Sequence, residues 1–282
     1  MYSNTLISTD ELAAHLGDPH WIIIDCRFSL ADTEHGRRAY AKAHIPGAHY
    51  LHLDADLSGP ITPETGRHPL PDPARLSAAI QRCGVGVNRQ VVVYDDSFGS
   101  MAVRLWWMLR WLGHPAVALL DGGWPKWARE LRRTDNTTPA PQTAACPCLP
   151  ERSLWLSTTE MEGIVAAQSH LLIDARSETR FTGEHDPIDP VAGHLPGAIN
   201  WVFEENLDVD GTLMPPEALR EAYQALLKGR APSEVIHVCG SGVTACHNLL
   251  AMEVAGLPGS RLYPGSWSEW ITDPAHPIAT GE

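Results

Sequence analysis

Short runs of consecutive aliphatic residues recur along the chain, each bounded by polar or turn-forming residues. They are Trp21-Ile22-Ile23-Ile24, Val91-Val92-Val93, Leu171-Leu172-Ile173 and Val235-Ile236-His237-Val238. Continuous apolar runs of this length read as strands buried on both faces. Segments with helical spacing lie between them. Asp10-Glu11-Leu12 opens one, with Ser8 or Thr9 in the capping position. Ala102 to Leu112 is a strongly apolar second, whose Trp106, Trp107 and Trp111 are read as core or inter-domain packing. Pro216 to Leu227 places apolar residues at helical spacing with Pro near its start. A further helix is predicted from about Thr244 to Ala255, stopping at Gly256. Strands alternating with helices predict an α/β fold with a mainly parallel sheet flanked by helices. In such sheets the ligand lies beyond the carboxyl ends of the strands, which points to the residues just after Val93 and just after Val238.

The pattern occurs twice. Asp25, His44, Asp95 and Trp124 stand at the same points of their local motifs as Asp174, His194, Cys239 and Trp267, at offsets of 149, 150, 144 and 143 positions. His44-Ile45-Pro46-Gly47-Ala48 is answered by His194-Leu195-Pro196-Gly197-Ala198. Four matches in one order at nearly constant offset predict two copies of one domain, residues 1–133 and 153–282. Thr134 to Arg152 is rich in Pro, has no hydrophobic periodicity and reads as the linker.

Composition narrows the function. Of 282 residues, 44% are hydrophobic and 20% charged, normal for a globular chain able to bury a core. Lys+Arg total 21 against 34 Asp+Glu, a net charge of −13. That balance argues against nucleic-acid and anionic-membrane partners, which need a basic field. It leaves room for a local anion site built from backbone N–H groups. No apolar run approaches the ~18–20 residues of a membrane span. The opening MYSNTLISTDELAAHLGD lacks the basic region and apolar core of a signal peptide, so a cytoplasmic location is expected. Six cysteines are too few for a disulfide framework, and in a reducing compartment a Cys in a special setting is more often catalytic. The sequence carries no cofactor motif and no metal-binding pattern.

One cysteine has such a setting. The strand ending at Val238 runs into Cys239-Gly240-Ser241-Gly242-Val243-Thr244 and then a helix. Two glycines let the backbone curl tightly around Cys239. Successive N–H groups in such a turn form an anion-binding nest, and the helix dipole adds positive potential. Both favour thiolate over thiol, as a covalent sulfur nucleophile requires. The first copy has Tyr94-Asp95-Asp96-Ser97-Phe98-Gly99 at the same place. A carboxylate cannot accept sulfur, so that copy is expected to be inert. A cysteine phosphatase would need an Arg closing the loop, where this chain has Thr244.

The repeat, the linker and the loop resemble the two-domain rhodanese family of sulfurtransferases. Tyr40-Ala41-Lys42-Ala43-His44-Ile45-Pro46-Gly47-Ala48 resembles its N-terminal signature, and Tyr263-Pro264-Gly265-Ser266-Trp267-Ser268-Glu269-Trp270 its C-terminal one. The resemblance covers roughly residues 5 to 275. It implies two tandem rhodanese-like domains and a persulfide carried on Cys239 between a small-molecule sulfur donor and a thiol, cyanide or thioredoxin-like acceptor. The leaving group would be pyruvate enolate or sulfite. Developing charge would be held by the N–H groups of Gly240, Ser241, Gly242, Val243 and Thr244. Cys-Gly-Ser-Gly-Val-Thr resembles the loop of 3-mercaptopyruvate sulfurtransferases, whereas thiosulfate-preferring members usually have basic residues inside it. A neutral loop is expected to favour mercaptopyruvate, with its single carboxylate, over the compact thiosulfate dianion.

Family members also bind substrate with Arg side chains from the second domain. Arg180 matches the first, with a salt bridge to an acidic loop as the structural alternative. The second usually lies in a Glu-Pro-Arg stretch, where this chain has Glu184-His185-Asp186-Pro187-Ile188-Asp189-Pro190 and no Arg; His185 is the substitute considered. Ser241 corresponds to a residue proposed to relay protons, with His44 as partner; the alternative for His44 and its twin His194 is a structural role in the turn. Thr244 is expected to cap the helix through its hydroxyl. Asp25 and Asp174 are read as turn residues, Phe98 as a residue lining a substrate cleft, and Cys26, Cys83, Cys146, Cys148 and Cys246 as packing or loop residues. Three functions stand: a mercaptopyruvate-type sulfurtransferase, a thiosulfate:cyanide sulfurtransferase, and a persulfide carrier with little small-molecule turnover.

Overall fold

Every predicted apolar run forms a parallel strand in the computed structural model, which describes residues 2–141, 144–146 and 148–281. Gln142, Thr143 and Pro147 of the linker reading lie outside the described residues. The chain divides into two compact units. Unit 1 comprises Met1–Gly59, Pro71–Glu151 and Asp208–Leu213; unit 2 comprises Pro60–Leu70, Arg152–Leu207 and Met214–Glu282. The expected boundary therefore differs in three respects. The stretch 134–151 belongs to unit 1, where Asp135 exchanges two backbone hydrogen bonds with His44 (2.8 and 2.9 Å) and Glu151 N–H donates to Trp111 C=O (2.8 Å). The short segment Asp208–Leu213 also joins unit 1, and Pro60–Leu70 joins unit 2.

Unit 1 contains β1 (Leu6–Ile7), α1 (Thr9–Ala14), β2 (Trp21–Asp25), α2 (His35–Lys42), β3 (His49–Tyr50), α3 (Pro73–Arg82), β4 (Gln90–Tyr94), α4 (Ala102–Trp111), β5 (Val117–Leu120) and α5 (Gly123–Arg129). Its sheet order is β1-β5-β4-β2-β3, with β4 buried along its whole length. Ser8 caps α1, accepting from Glu11 N–H at 3.1 Å. The helix α4 is apolar nearly all round, as a helix enclosed by its own core must be, and Trp106, Trp107 and Trp111 are buried there.

Unit 2 contains α6 (Thr158–Ala167), β6 (Leu171–Asp174), α7 (Glu178–Thr182), β7 (Ala198–Asn200), α8 (Pro216–Leu227), β8 (Val235–Val238), α9 (Ala245–Val254), β9 (Arg261–Leu262) and α10 (Ser266–Trp270). Its sheet order, β7-β6-β8-β9, repeats that of β3-β2-β4-β5. A lone parallel bridge between Trp155 and Leu262 stands where β1 pairs with β5 in unit 1. The helix α8 has the predicted bounds, and α9 ends before Gly256, whose φ of +72° stops it.

The twin motifs explain themselves as architecture. Asp25 and Asp174 are buried at the ends of β2 and β6. Each takes a forked guanidinium two residues later: Arg27 on Asp25 (2.5–3.0 Å) and Arg176 on Asp174 (2.6–3.0 Å). Each arginine then reaches a carbonyl of the following loop, Ala43 or Gly193, at 2.7 Å. His44 and His194 form a second twin. His44 stacks on Tyr40 (4.0 Å) and bonds Tyr40 C=O through Nδ1 (2.8 Å); His194 stacks on Phe181 (3.7 Å) and bonds Phe181 C=O (2.7 Å).

Removing one partner of a buried ion pair strands an uncompensated charge, which costs about 3–5 kcal/mol. Arg27→Met should destabilise the protein by about that amount in urea unfolding followed by tryptophan fluorescence. Adding Asp25→Asn to that variant should restore part of the loss, because the stranded carboxylate is gone; equal losses in the single and double variants would refute the charge-burial account.

Candidate functional site

The strand β8 delivers Cys239 into a loop whose shape is held from outside by the start of α10. Trp267 N–H donates to Cys239 C=O at 3.0 Å, and Ser268 N–H donates to Gly240 C=O at 2.8 Å. Among the described residues no acceptor takes the N–H groups of Gly240, Ser241, Val243 or Thr244. Gly242 adopts φ +71°, and a Cβ there would lie 2.3 Å from Pro264 O, so only glycine closes this turn. Cys239 and Val243 are buried. Ser266, at the strained φ of +52°, accepts from Cys239 N–H (3.1 Å) and donates to Tyr263 C=O (2.8 Å). Thr244 occupies the N-cap of α9, but its side chain makes no capping bond, which corrects that expectation.

Unit 1 has a loop at the equivalent place, one residue longer before its helix, in which a carboxylate takes the backbone donors. The Asp95 carboxylate accepts four backbone N–H bonds: Ser97 and Gly99 on one oxygen, both 2.8 Å, and Met101 and Ala102 on the other, 2.8 and 2.7 Å. Burial pushes its pKa up while the four N–H donors oppose that rise. The loop's outer hold is shared too, since Trp124 N–H donates to Asp95 C=O at 2.8 Å. Gly123, at φ +52°, stands where Ser266 stands in unit 2. Phe98, also at positive φ, is partly exposed and packs on Gly211 of the same unit.

The polar side chains around Cys239 differ from the sequence expectation in two places. Ser241 Oγ is hydrogen-bonded to His68 Nδ1 at 2.7 Å. His44 is not its partner: it is fully buried in unit 1 with both ring nitrogens engaged, on Tyr40 C=O and on Thr137 C=O (3.3 Å). Arg180 is where its motif suggests, and it holds both features weighed for it. Its Nε donates to Asp186 (3.0 Å) and its Nη2 to Asp189 (2.7 Å), while its guanidinium also faces Gly240. A Cβ on Gly240 would lie 3.1 Å from Arg180 Nη2.

The sequence offers no second arginine near Arg180, and the structure brings Arg67 beside it over Gly240. Its Nη2 would lie 2.6 Å from a Cβ on Gly240, its Nη1 is paired with Asp189, and its backbone N–H donates to Ser268 Oγ at 3.1 Å. Burial, then the neighbouring Arg180 charge, lower the pKa of Arg67. His185, the substitute considered, is exposed. The loop is neutral in its own side chains, yet two guanidinium groups overhang its first glycine. Sequence reasoning missed Arg67 and His68 because they lie far from Cys239 in the chain; the adjacent Arg-His pair in a Pro- and Gly-rich stretch was the available signal.

The other thiols are built differently. Burial lifts Cys26 well above the ordinary thiol range, Cys83 to about 12, and Cys146 and Cys148 upward. Cys246 is buried on α9 with its Sγ against Gly242 C=O at 3.5 Å. All six cysteines are free. No helix among the described residues is long and apolar enough to cross a membrane.

Comparison with known proteins finds relatives over the whole length of the chain. The probable 3-mercaptopyruvate sulfurtransferase of Pseudomonas aeruginosa is 47% identical over 284 aligned residues that span all of both chains. The thiosulfate sulfurtransferase of Rattus norvegicus is 32% identical, covering 94% of this chain and 91% of its own. Among solved structures, the 3-mercaptopyruvate sulfurtransferase from Leishmania major superposes with a TM-score of 0.85 at 32% identity, over 95% of this chain and 74% of that one. The rhodanese-like domain model matches residues 8–130 and again residues 157–273, once in each half of the repeat. The chain therefore belongs to the rhodanese family, as a tandem pair of its domains.

Proposed function

We propose that this protein is a sulfurtransferase that carries sulfane sulfur as a persulfide on Cys239, with 3-mercaptopyruvate as the favoured donor. The observation that carries this reading is the pair of homologous loops. In unit 1 the inward amides grip a carboxylate through four N–H groups. In unit 2 Cys239 stands at that place, and among the described residues the N–H groups of Gly240, Ser241, Val243 and Thr244 have no acceptor. A ring of N–H donors that binds an anion in one copy suits a thiolate and a persulfide anion in the other.

In the cycle, the Cys239 thiolate attacks the sulfur of 3-mercaptopyruvate. The S–S bond forms as the C–S bond breaks, and the bonding pair leaves on pyruvate as its enolate. The thiol proton of the donor returns to that enolate, with Ser241 and His68 as the hydrogen-bonded relay within reach of the loop. A thiolate, cyanide or the thiol of a redox protein then takes the outer sulfur and regenerates the Cys239 thiolate. Asp95 has no sulfur to attack with and already fills its own cradle, so unit 1 is inert in this reading. The name of the 47%-identical relative supports mercaptopyruvate. That of the 32%-identical rat protein supports thiosulfate as the second donor to test.

Cys239→Ser should lower sulfur transfer from either donor to cyanide by at least ~10³-fold, the scale of removing a covalent nucleophile. Wild-type protein treated with donor should gain one sulfur atom at Cys239 by mass spectrometry. A persulfide without turnover would move the function to sulfur carriage, and a fully active Cys239→Ser would refute the reading.

Ser241→Ala separates the relay from the cradle. With 3-mercaptopyruvate kcat should fall about 10²-fold, the lower end of general acid–base contributions. With thiosulfate the fall should stay within about 3-fold, because sulfite leaves without needing a proton. Equal losses with both donors would assign Ser241 to loop shape instead.

A further inference from the structure

The edge strand of the unit 1 sheet lines a cavity of about 230 Å³. β3 ends the sheet order, with a neighbouring strand, β2, on one side only. Successive strand residues face opposite sides of a sheet, yet His49 and Tyr50 both line the cavity, so it lies across the sheet edge. The end of α3, with Ala79, Arg82 and Cys83, and the segment carrying Thr138, Pro139 and Pro141 complete its wall.

Most polar groups of that wall are already engaged. Tyr40 OH donates to Ala48 C=O at 2.7 Å, and Tyr50 OH donates to Arg27 C=O at 3.2 Å. The two rings, with centroids 5.4 Å apart, therefore offer flat carbon surface rather than hydroxyls. Cys83 Sγ lies against Ala79 C=O at 3.6 Å, and burial pushes its pKa up to about 12, so it stays a neutral thiol. The exposed Arg82 pairs with Asp56 at 3.4 Å, and the two charges cancel.

His49 is the exception. It is 8% exposed, and among the described residues its ring nitrogens have no hydrogen-bond partner. Burial lowers its pKa and keeps the ring neutral, with one nitrogen donating and the other accepting. The fold does not demand a histidine here. In unit 1 His49 stands opposite Ile24, and at the same register point of unit 2 the residue opposite Ile173 is the aliphatic Ile199. A buried polar group without a partner costs free energy, which an arriving partner recovers.

We propose that this cavity binds a small neutral aromatic molecule bearing one hydroxyl group, with its ring among Tyr40, Tyr50 and the two prolines and its hydroxyl on His49. A hydroxyl donates and accepts, as a neutral imidazole does. A cavity of about 150 Å³ is enough for benzene, so this volume suits one substituted ring. A charged ligand would lose its hydration and meet no unmatched counter-charge in the wall. The site shares no residue with the Cys239 loop, and it gives unit 1 a ligand of its own whatever reaction unit 2 performs.

The test titrates phenol into the whole protein and follows backbone amides by heteronuclear NMR. Shifts should saturate, with a midpoint of about 1 mM, and should be confined to residues 49–51, 79–83 and Thr138. Cyclohexanol, which keeps the hydroxyl but lacks the flat ring, should bind at least about 3-fold more weakly. His49→Ile, the residue of the twin strand, should weaken phenol about 3- to 10-fold and leave toluene, which has no hydroxyl, as tight as in wild type. Circular dichroism checks folding, and if His49→Ile unfolds, the order of phenol, cyclohexanol and toluene on wild type decides. Shifts that never saturate or that scatter through the protein would overturn the proposal. So would phenol binding equally to wild type and His49→Ile, or cyclohexanol or toluene matching phenol on wild type.

Discussion

The site depends on which way two peptide groups point. The carbonyls of Cys239 and Gly240 are held by the amides of Trp267 and Ser268, and among the described residues the N–H groups of Gly240 and Ser241 have no acceptor. Without that hold, a glycine-containing turn would sample many conformations, and its N–H groups would be spent on water. The tie comes from the first residues of a short helix that follows the neighbouring strand β9. The C-terminal motif Gly265-Ser266-Trp267-Ser268 is therefore part of the site's architecture although none of its side chains needs to touch the reacting sulfur. Ser266 accepts an unfavourable φ of +52° and answers it with a bond to Cys239 N–H. Its counterpart Gly123 holds the same φ without strain and has no side chain to offer.

Duplication has produced two uses of one cradle. In unit 1 the residue after the strand is an aspartate long enough to reach back into its own loop and satisfy four amides. Such a loop is a closed structural element, comparable to a helix cap. In unit 2 the thiol is shorter in reach and softer in chemistry, and the amides stay available. The two loops differ in backbone as well as in that side chain: positive φ falls at Phe98 and Gly99 in unit 1 and at Gly242 in unit 2, and α4 begins one residue later after Asp95 than α9 does after Cys239.

Much of this was legible in the sequence for physical reasons. Buried parallel strands must be continuous apolar runs, so β2, β4, β6 and β8 announce themselves. The helix α8 was bounded by its proline and its periodicity, and the Cys-Gly-Ser-Gly loop by its glycines. What was not legible came from chain distance. Leu51 to Asp72 holds no helix or strand, and it exceeds the ~12–15 residues beyond which an irregular loop signals function. No local pattern says that its Arg67 and His68 will end beside Gly240 and Ser241. His44 misled for the opposite reason. Its motif is strong, but the strength belongs to a stacked, doubly bonded ring that fixes a turn, and the motif repeats at His194 for that purpose.

Net charge also misleads if read as a statement about the site. At −13 the whole chain should repel small anions. Between exposed charges that repulsion is screened within about 8 Å at physiological ionic strength. Inside the cluster of Arg67, Arg180, Asp186 and Asp189 the separations are hydrogen-bond lengths, and the medium is protein. There, an arginine with an unspent nitrogen acts far more strongly than distant surface carboxylates. The cluster's balance matters more than its presence. Two guanidinium groups alone would welcome the most highly charged donor available. The same two groups are tied to a buried Asp189, which leaves little net charge over. The field beside Gly240 is thus a local property of this acidic protein, set by three arginines and three aspartates.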